Sequence, residues 1–108
     1  MLERDIEKRL RDMITAMGCM FEKFVSPGQR GVSDRIVTIP GRPAHIVFLE
    51  LKQEGKKETK LQQRQREKRL AMGVDARLVV GMAEALAFAE DVRRLKDALH
   101  TASIPTVR

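Results

Sequence analysis

The sequence predicts an α/β fold: helix, three strands, helix, strand, helix, with a mixed sheet between the helices. Three observations lead there. Apolar residues recur at helical spacing near both ends of the 108-residue chain, through Leu2, Ile6, Leu10, Met13, Ile14 and Met17 and again through Ala85, Phe88, Val92, Leu95 and Leu99. Between them lie short apolar runs, Val47-Phe48-Leu49 with Leu51 and then Leu78-Val79-Val80, which read as buried strands. A helical stretch separates those two runs, as a right-handed crossover between parallel strands requires.

In order along the chain, the first helix spans about Leu2 to Met17, and Gly18 is its natural stop. Met20 to Val25 is a strand whose apolar content is Phe21, Phe24 and Val25, interrupted by Lys23. Ser26-Pro27-Gly28-Gln29-Arg30-Gly31 consists of turn residues, with Gln29 and Arg30 placed where a phosphate can be met. Its glycines are equally ordinary turn glycines, and no Gly-Lys-Ser/Thr follows to make a P-loop. Asp34 to Ile39 is the second strand, Pro40-Gly41-Arg42-Pro43 closes a hairpin, and His45 to Lys52 is the third.

Gln53 to Glu58 is a charged loop, and Thr59 opens a second helix that ends near Met72 before Gly73. Thr59 and Gln62 stand at capping-box spacing. This helix has few apolar residues and many basic ones, among them Arg64, Arg66 and Arg69. It is expected to pack by one edge and to offer cations to phosphates, a plain solvated face being the alternative. Ala76 to Val80 forms the fourth strand and about Met82 to Leu99 the last helix. The expectation is one domain over residues 1–100 and a flexible tail over 101–108.

Composition narrows the function. With 21 basic and 15 acidic residues the formal charge is +6, which favours a polyanionic partner such as nucleic acid. Cys19 is the only cysteine, so neither an intramolecular disulfide nor a cysteine-rich zinc site is possible, and it reads as a small buried apolar residue. His45 and His100 show no metal-ligand spacing, and no Gly-x-Ser-x-Gly elbow occurs. No signal peptide and no membrane-spanning apolar run are apparent, so an intracellular location is expected, with no membrane partner. The chain has no Trp or Tyr and four Phe, which disfavours recognition by base stacking and favours backbone and shape recognition of duplex or branched DNA.

The chemistry centres on Glu50-Leu51-Lys52. Alternation along a strand points Glu50 and Lys52 to one face while Leu51 turns into the core. Adjacent strands are about 4.8 Å apart, so Asp34, at the mouth of the second strand, and Glu50 can share one cation. Hard carboxylate oxygens suit Mg²⁺ or Mn²⁺. Glu3 and Glu7 flank the apolar stripe of the first helix, where they either look toward the site or are solvated carboxylates favoured by the helix dipole.

Three segments carry a family resemblance: Lys23 through Gly31-Val32-Ser33-Asp34-Arg35, then Phe48-Leu49-Glu50-Leu51-Lys52, then Leu61-Gln62 through Leu70 to Gly73. Through them the chain resembles the PD-(D/E)xK nuclease superfamily and, within it, the VRR-NUC family in its small standalone form found in phages and bacteria. The resemblance covers roughly Ile6 to Val80 and implies a restriction-endonuclease-like αβββαβ core. It implies that Asp34, Glu50 and the backbone carbonyl of Leu51 bind Mg²⁺ or Mn²⁺, and that Lys52 positions or deprotonates the attacking water. Glu7, rather than Glu3, matches the first-helix glutamate of the family, and Gln62 matches its helix glutamine near the site. Ser33 stands where the family usually has proline, a change in the rigidity of the turn.

The resemblance further implies a homodimer that cuts symmetric branched DNA such as four-way (Holliday) junctions, in a bacterial cell or a phage-infected host. Lys23, Gln29, Arg30, Arg64, Arg66 and Arg69 are the candidate nucleic-acid contacts. The alternatives are a non-catalytic DNA-binding module, in which the acid and lysine form only a buried pair, and a nuclease acting on RNA or linear duplex.

Overall fold

The computed structural model describes residues 1–25 and 33–103, of residues 33, 34 and 101–103 the backbone alone. Seven elements follow in the expected order: α1 (Glu3–Ala16), β1 (Met20–Val25), β2 (Ser33–Ile39), β3 (His45–Lys52), α2 (Lys60–Ala71), β4 (Asp75–Val80) and α3 (Gly81–Ser103). The sheet order is β1-β2-β3-β4. β1 to β3 form an antiparallel meander, and β4 joins β3 in parallel through α2. The architecture is α/β with a mixed four-stranded sheet flanked by helices, compatible with a restriction-endonuclease-like core. Among the described residues no helix is long and apolar enough to cross a membrane.

The pleat sorts the side chains into two unlike faces. On one, Val37 and Ile39 of β2, Val47, Leu49 and Leu51 of β3 and Val79 of β4 are buried against Ile6, Leu10 and Ile14 of α1 and Phe88, Ala89 and Val92 of α3. Each of the larger side chains contributes about 1.5–3 kcal/mol on burial, so this is the layer that stabilises the domain. Cys19 joins it as a small apolar residue, as expected, and its burial pushes the thiol pKa up. The other face carries Phe48, Glu50 and Lys52, with Ala76 buried beneath α2, which packs against β4.

β1 forms over the expected residues, and its apolar side chains divide. Met20, Phe24 and Val25 are exposed, while Phe21 alone of its apolar residues packs on the core. The reason is coverage: β1 is an edge strand, and α2 lies over β4 at the opposite edge. α3 departs in extent. It starts at Gly81 and runs to Ser103, which takes in the first residues of the expected tail; 104–108 lie outside the described residues.

β4 passes into α3 without a linker, and Gly81 makes the junction with φ of +81°. An added Cβ would stand 2.6 Å from Cγ of Glu54, which can swing away, but the positive φ cannot be relieved. Gly81→Ala is therefore expected to destabilise by about 1 kcal/mol or more. A lowered urea midpoint at unchanged m-value would register this; an unchanged midpoint would show that the junction tolerates a side chain.

Candidate active site

β3 presents the site because its alternation is strict. Leu49 and Leu51 are fully in the core, and Glu50 between them points to the α2 face, where it is 6% exposed. Lys52, two residues on, shares that face and is partly exposed. A carboxylate this deep is costly unless charged or polar groups meet it. α2 supplies them: its Gln62, Gln65, Arg66 and Arg69 line a small cleft with Phe48 and Glu50 of β3 and Ala76 and Arg77 of β4.

α2 reaches this position by polar means. Its apolar residues Leu61 and Leu70 are exposed, so no apolar stripe fixes it to the sheet. A capping box starts the helix: Thr59 Oγ1 accepts from the Gln62 amide at 3.1 Å, and Gln62 Oε1 accepts from the Thr59 amide at 2.8 Å. Gln62 is nonetheless 5% exposed and lines the cleft, so its capping role and its place beside Glu50 coexist. Arg69 lays its guanidinium over the Phe48 ring, 4.4 Å from the centroid.

The third anchor is a residue to which the sequence reading gave no role. Glu58 holds Arg66 in a fork, Nε at 3.2 Å and Nη2 at 2.6 Å, and its side chain is 10% exposed. The carboxyl groups of Glu58 and Glu50 also lie within hydrogen-bonding reach of each other. The Arg66 guanidinium is the largest influence on Glu58 and holds its carboxyl below the usual 4.5, against the opposing push of burial. A glutamate directly before a helix N-cap, eight residues ahead of an arginine, was the only available signal.

Glu7 occupies the opposite side of the sheet. Its Oε2 accepts from Arg35 Nη2 at 2.6 Å and its Oε1 from Arg11 Nη2 at 2.6 Å. Arg35 is 3% exposed, pairs in register with Leu49, and has Nε buried without an acceptor among the described residues. Lys23, opposite Arg35 on β1, adds positive charge near Glu7. Glu3 is the outer partner of Arg35 at 3.3 Å, and its amide donates to Gln53 Oε1 at 3.2 Å, which ties the start of α1 to the end of β3 beside Lys52. Burial is the largest influence on Glu7 and pushes its pKa up. The Arg35 hydrogen bond and the charges of Arg35, Arg11 and Lys23 together outweigh it, leaving the carboxyl below 4.5.

The structure thus brings together Glu50, Lys52, Gln62, Arg66 and Arg69 on one face, and Glu7 and Lys23 on the other. The backbone of Asp34 follows one step after the Arg35–Leu49 pair, in line with Glu50. Its side chain lies outside the described residues, as do Gln29 and Arg30. Arg64 is exposed on α2. Among the described residues no group of three or more His, Cys, Asp or Glu is arranged to hold a metal ion.

Glu7 and Glu58 both have carboxyls lowered on folding, so their contribution to stability is present above the ordinary value of 4.5 and is lost as pH falls through the lowered values. Urea unfolding followed from pH 7 to pH 3 is expected to show stability falling below about pH 4.5. Glu7→Gln and Glu58→Gln should each flatten that fall; an unaltered slope in both would remove these two groups as its cause.

Compared with known proteins, the chain is 42% identical over 71 residues to "Putative nuclease p44" of Acyrthosiphon pisum secondary endosymbiont phage 1, a match that covers 66% of this chain and 74% of that protein. No family profile matches the sequence, and no solved structure matches the chain.

Proposed function

Because the chain belongs to the same family as that phage nuclease, we propose that it hydrolyses phosphodiester bonds in DNA with the help of Mg²⁺ or Mn²⁺, acting on branched duplexes such as four-way junctions. The observation that carries this reading is the buried Glu50 with Lys52 beside it, at the end of a central strand and in line with the backbone of Asp34. The Asp34…Glu50-x-Lys52 order also supports the narrower PD-(D/E)xK and VRR-NUC reading.

The residues present suit a hard divalent cation. The buried carboxylate of Glu50 lines the cleft, and the backbone of Asp34 stands next in line on β2. Asp34, Glu50 and the carbonyl of Leu51 would hold the cation. When bound, it supplies charge stabilisation to the phosphate and makes water a better nucleophile at neutral pH. Lys52 then orients the attacking water or balances the charge that develops on the phosphate. Glu50 keeps its place through the packing of Leu49 and Leu51 on either side of it, which fixes the strand. Gln62, held by its own capping bond, is preorganised at the wall of the cleft.

A domain of this size with one site cuts one strand. A two-fold homodimer would supply the second site that paired cuts in a symmetric junction need. The formal charge of +6 and the exposed basic residues of α2 suit contact with phosphates rather than with bases.

Cleavage of a labelled four-way junction beside matched linear duplex, with Mg²⁺, Mn²⁺ or EDTA, tests the reading with wild type and Asp34→Asn. Paired, metal-dependent cuts in the junction that vanish in the variant are expected. Binding without cutting under every metal condition would instead mark a DNA-binding module, and equal cutting of linear duplex would remove the branched-DNA preference.

A further inference from the structure

We propose that Glu58 is a positioning residue that holds the Arg66 guanidinium at the cleft beside Glu50, where Arg66 contacts the phosphodiester of the bound DNA. The proposal rests on the nuclease reading above and adds to it the residue that sets the Arg66 contact.

The argument starts from donor counting. An arginine carries five N–H donors in a planar fork. Glu58 engages Arg66 through Nε and Nη2, which leaves donors on the outer edge of the guanidinium for a second acceptor. The Arg66 side chain is 26% exposed while Glu58 is 10% exposed, so the pair has a buried end and an open end, and the open end belongs to the arginine. Arg66 lines the same cleft as Glu50 and Gln62 and lies close enough to Glu50 to feel its charge. A phosphate reaching Glu50 and Lys52 would therefore meet this guanidinium.

Forked bonds give Arg the geometry that suits a phosphate oxygen pair. An arginine already held by a buried carboxylate loses less rotamer freedom when the phosphate arrives, which is the benefit of preorganisation. Arg66 also leaves Glu58 charge-neutral as a pair, so that the net charge facing the DNA is not made more negative by a second glutamate beside Glu50.

The test uses the full chain with Glu58→Gln, Arg66→Gln, Arg66→Lys and the double variant Glu58→Gln/Arg66→Gln. Duplex and junction DNA binding is read in Ca²⁺ or EDTA across a salt series, and single-turnover cleavage is read in Mg²⁺. Arg66→Gln should weaken binding and reduce the slope of log K against log salt by about one phosphate contact, roughly 0.9. Glu58→Gln should leave that slope intact and lower single-turnover cleavage at saturating DNA by about tenfold, with the Mg²⁺ requirement unchanged. The double variant should cleave no worse than Arg66→Gln alone, because the carboxylate acts through the arginine. Arg66→Lys should restore the salt slope but not the cleavage rate.

An unchanged salt slope in Arg66→Gln, with only a lower melting temperature, would reduce the pair to a clamp for α2 and overturn the proposal. A rise in the Mg²⁺ concentration needed by Glu58→Gln would make Glu58 a cation ligand and likewise overturn it. Because the salt slope is read without cleavage, it is decided separately from the nuclease reading: a wild type that binds but never cuts would sink that reading and leave the Arg66 contact to stand or fall on its slope.

Discussion

Glu50→Gln is expected to abolish metal-dependent cleavage while the protein still folds and binds DNA. The substitution keeps the shape of a side chain that is 6% exposed between Leu49 and Leu51 and removes its negative charge. A cation held by one carboxylate fewer gives up several kcal/mol of charge stabilisation in the transition state. At about 1.4 kcal/mol per tenfold, a loss of 4 kcal/mol is roughly a thousandfold in rate. The amide introduced at position 50 can still donate to Glu58, which lies within hydrogen-bonding reach, so folding stability at neutral pH should stay level. Single-turnover cleavage and a urea titration on the same preparation separate the two effects. Residual cutting within tenfold of wild type would exclude Glu50 from the chemistry, and a collapsed urea midpoint would make it a structural residue.

The second large effect falls on the opposite face of the sheet. Glu7→Leu should cost about 3–5 kcal/mol, because it leaves the Arg35 guanidinium buried without its main carboxylate. The two side chains are 11% and 4% exposed, so solvent screens this pair little. Glu3 at 3.3 Å offers a weaker replacement and places the expected cost toward the lower end of that range. Glu7→Leu combined with Arg35→Met should recover most of the loss, since an apolar pair of similar volume suits a site bounded by Leu49 and α1. Equilibrium urea unfolding of both variants measures this. A double variant no more stable than Glu7→Leu would show that the pair contributes more than mutual neutralisation. The same double variant also addresses the role that the family resemblance gives Glu7. If it folds and has lost cleavage, Glu7 or Arg35 acts in the reaction; if it folds and cuts normally, Glu7 serves the packing of α1 alone.

Much of this architecture was legible because the pattern is locally consistent. β3 declares itself through Val47, Leu49 and Leu51, and the same alternation that buries them must turn Glu50 and Lys52 the other way. Thr59 and Gln62 announced the start of α2 by spacing, and both bonds of the box are formed. What escaped was the fate of individual charges. Arg35 alternates with Val37 and Ile39 and so had to face the core, yet an arginine at a strand end reads as solvent-facing until its partner on α1 is seen. Glu58 sits in a loop full of charges, and nothing local marks it as the one that turns inward to Arg66. The exposure of Met20, Phe24 and Val25 is a tertiary matter too, since apolar identity says nothing about whether a helix will reach the edge of the sheet. Which charges are buried, and which apolar groups are not, is decided by tertiary neighbours distant in sequence.

The polar fastening of α2 has a dynamic consequence. A segment attached by an ion pair to Glu58 and a ring contact to Phe48, with little apolar area at stake, is expected to form its own cooperative unit with a low opening free energy. The wall of the cleft can detach while the meander and α1 remain folded, and the freed backbone of residues 60–71 would then exchange its amide hydrogens. Exchange of these amides is expected to be faster than that of β3 and to speed up further with added salt, which weakens the Glu58–Arg66 attraction. Equal protection of α2 and β3 would contradict this. If the helix does open in this way, the ionic strength of the surroundings sets two things together: how firmly DNA is gripped, and how often the cleft that grips it is assembled.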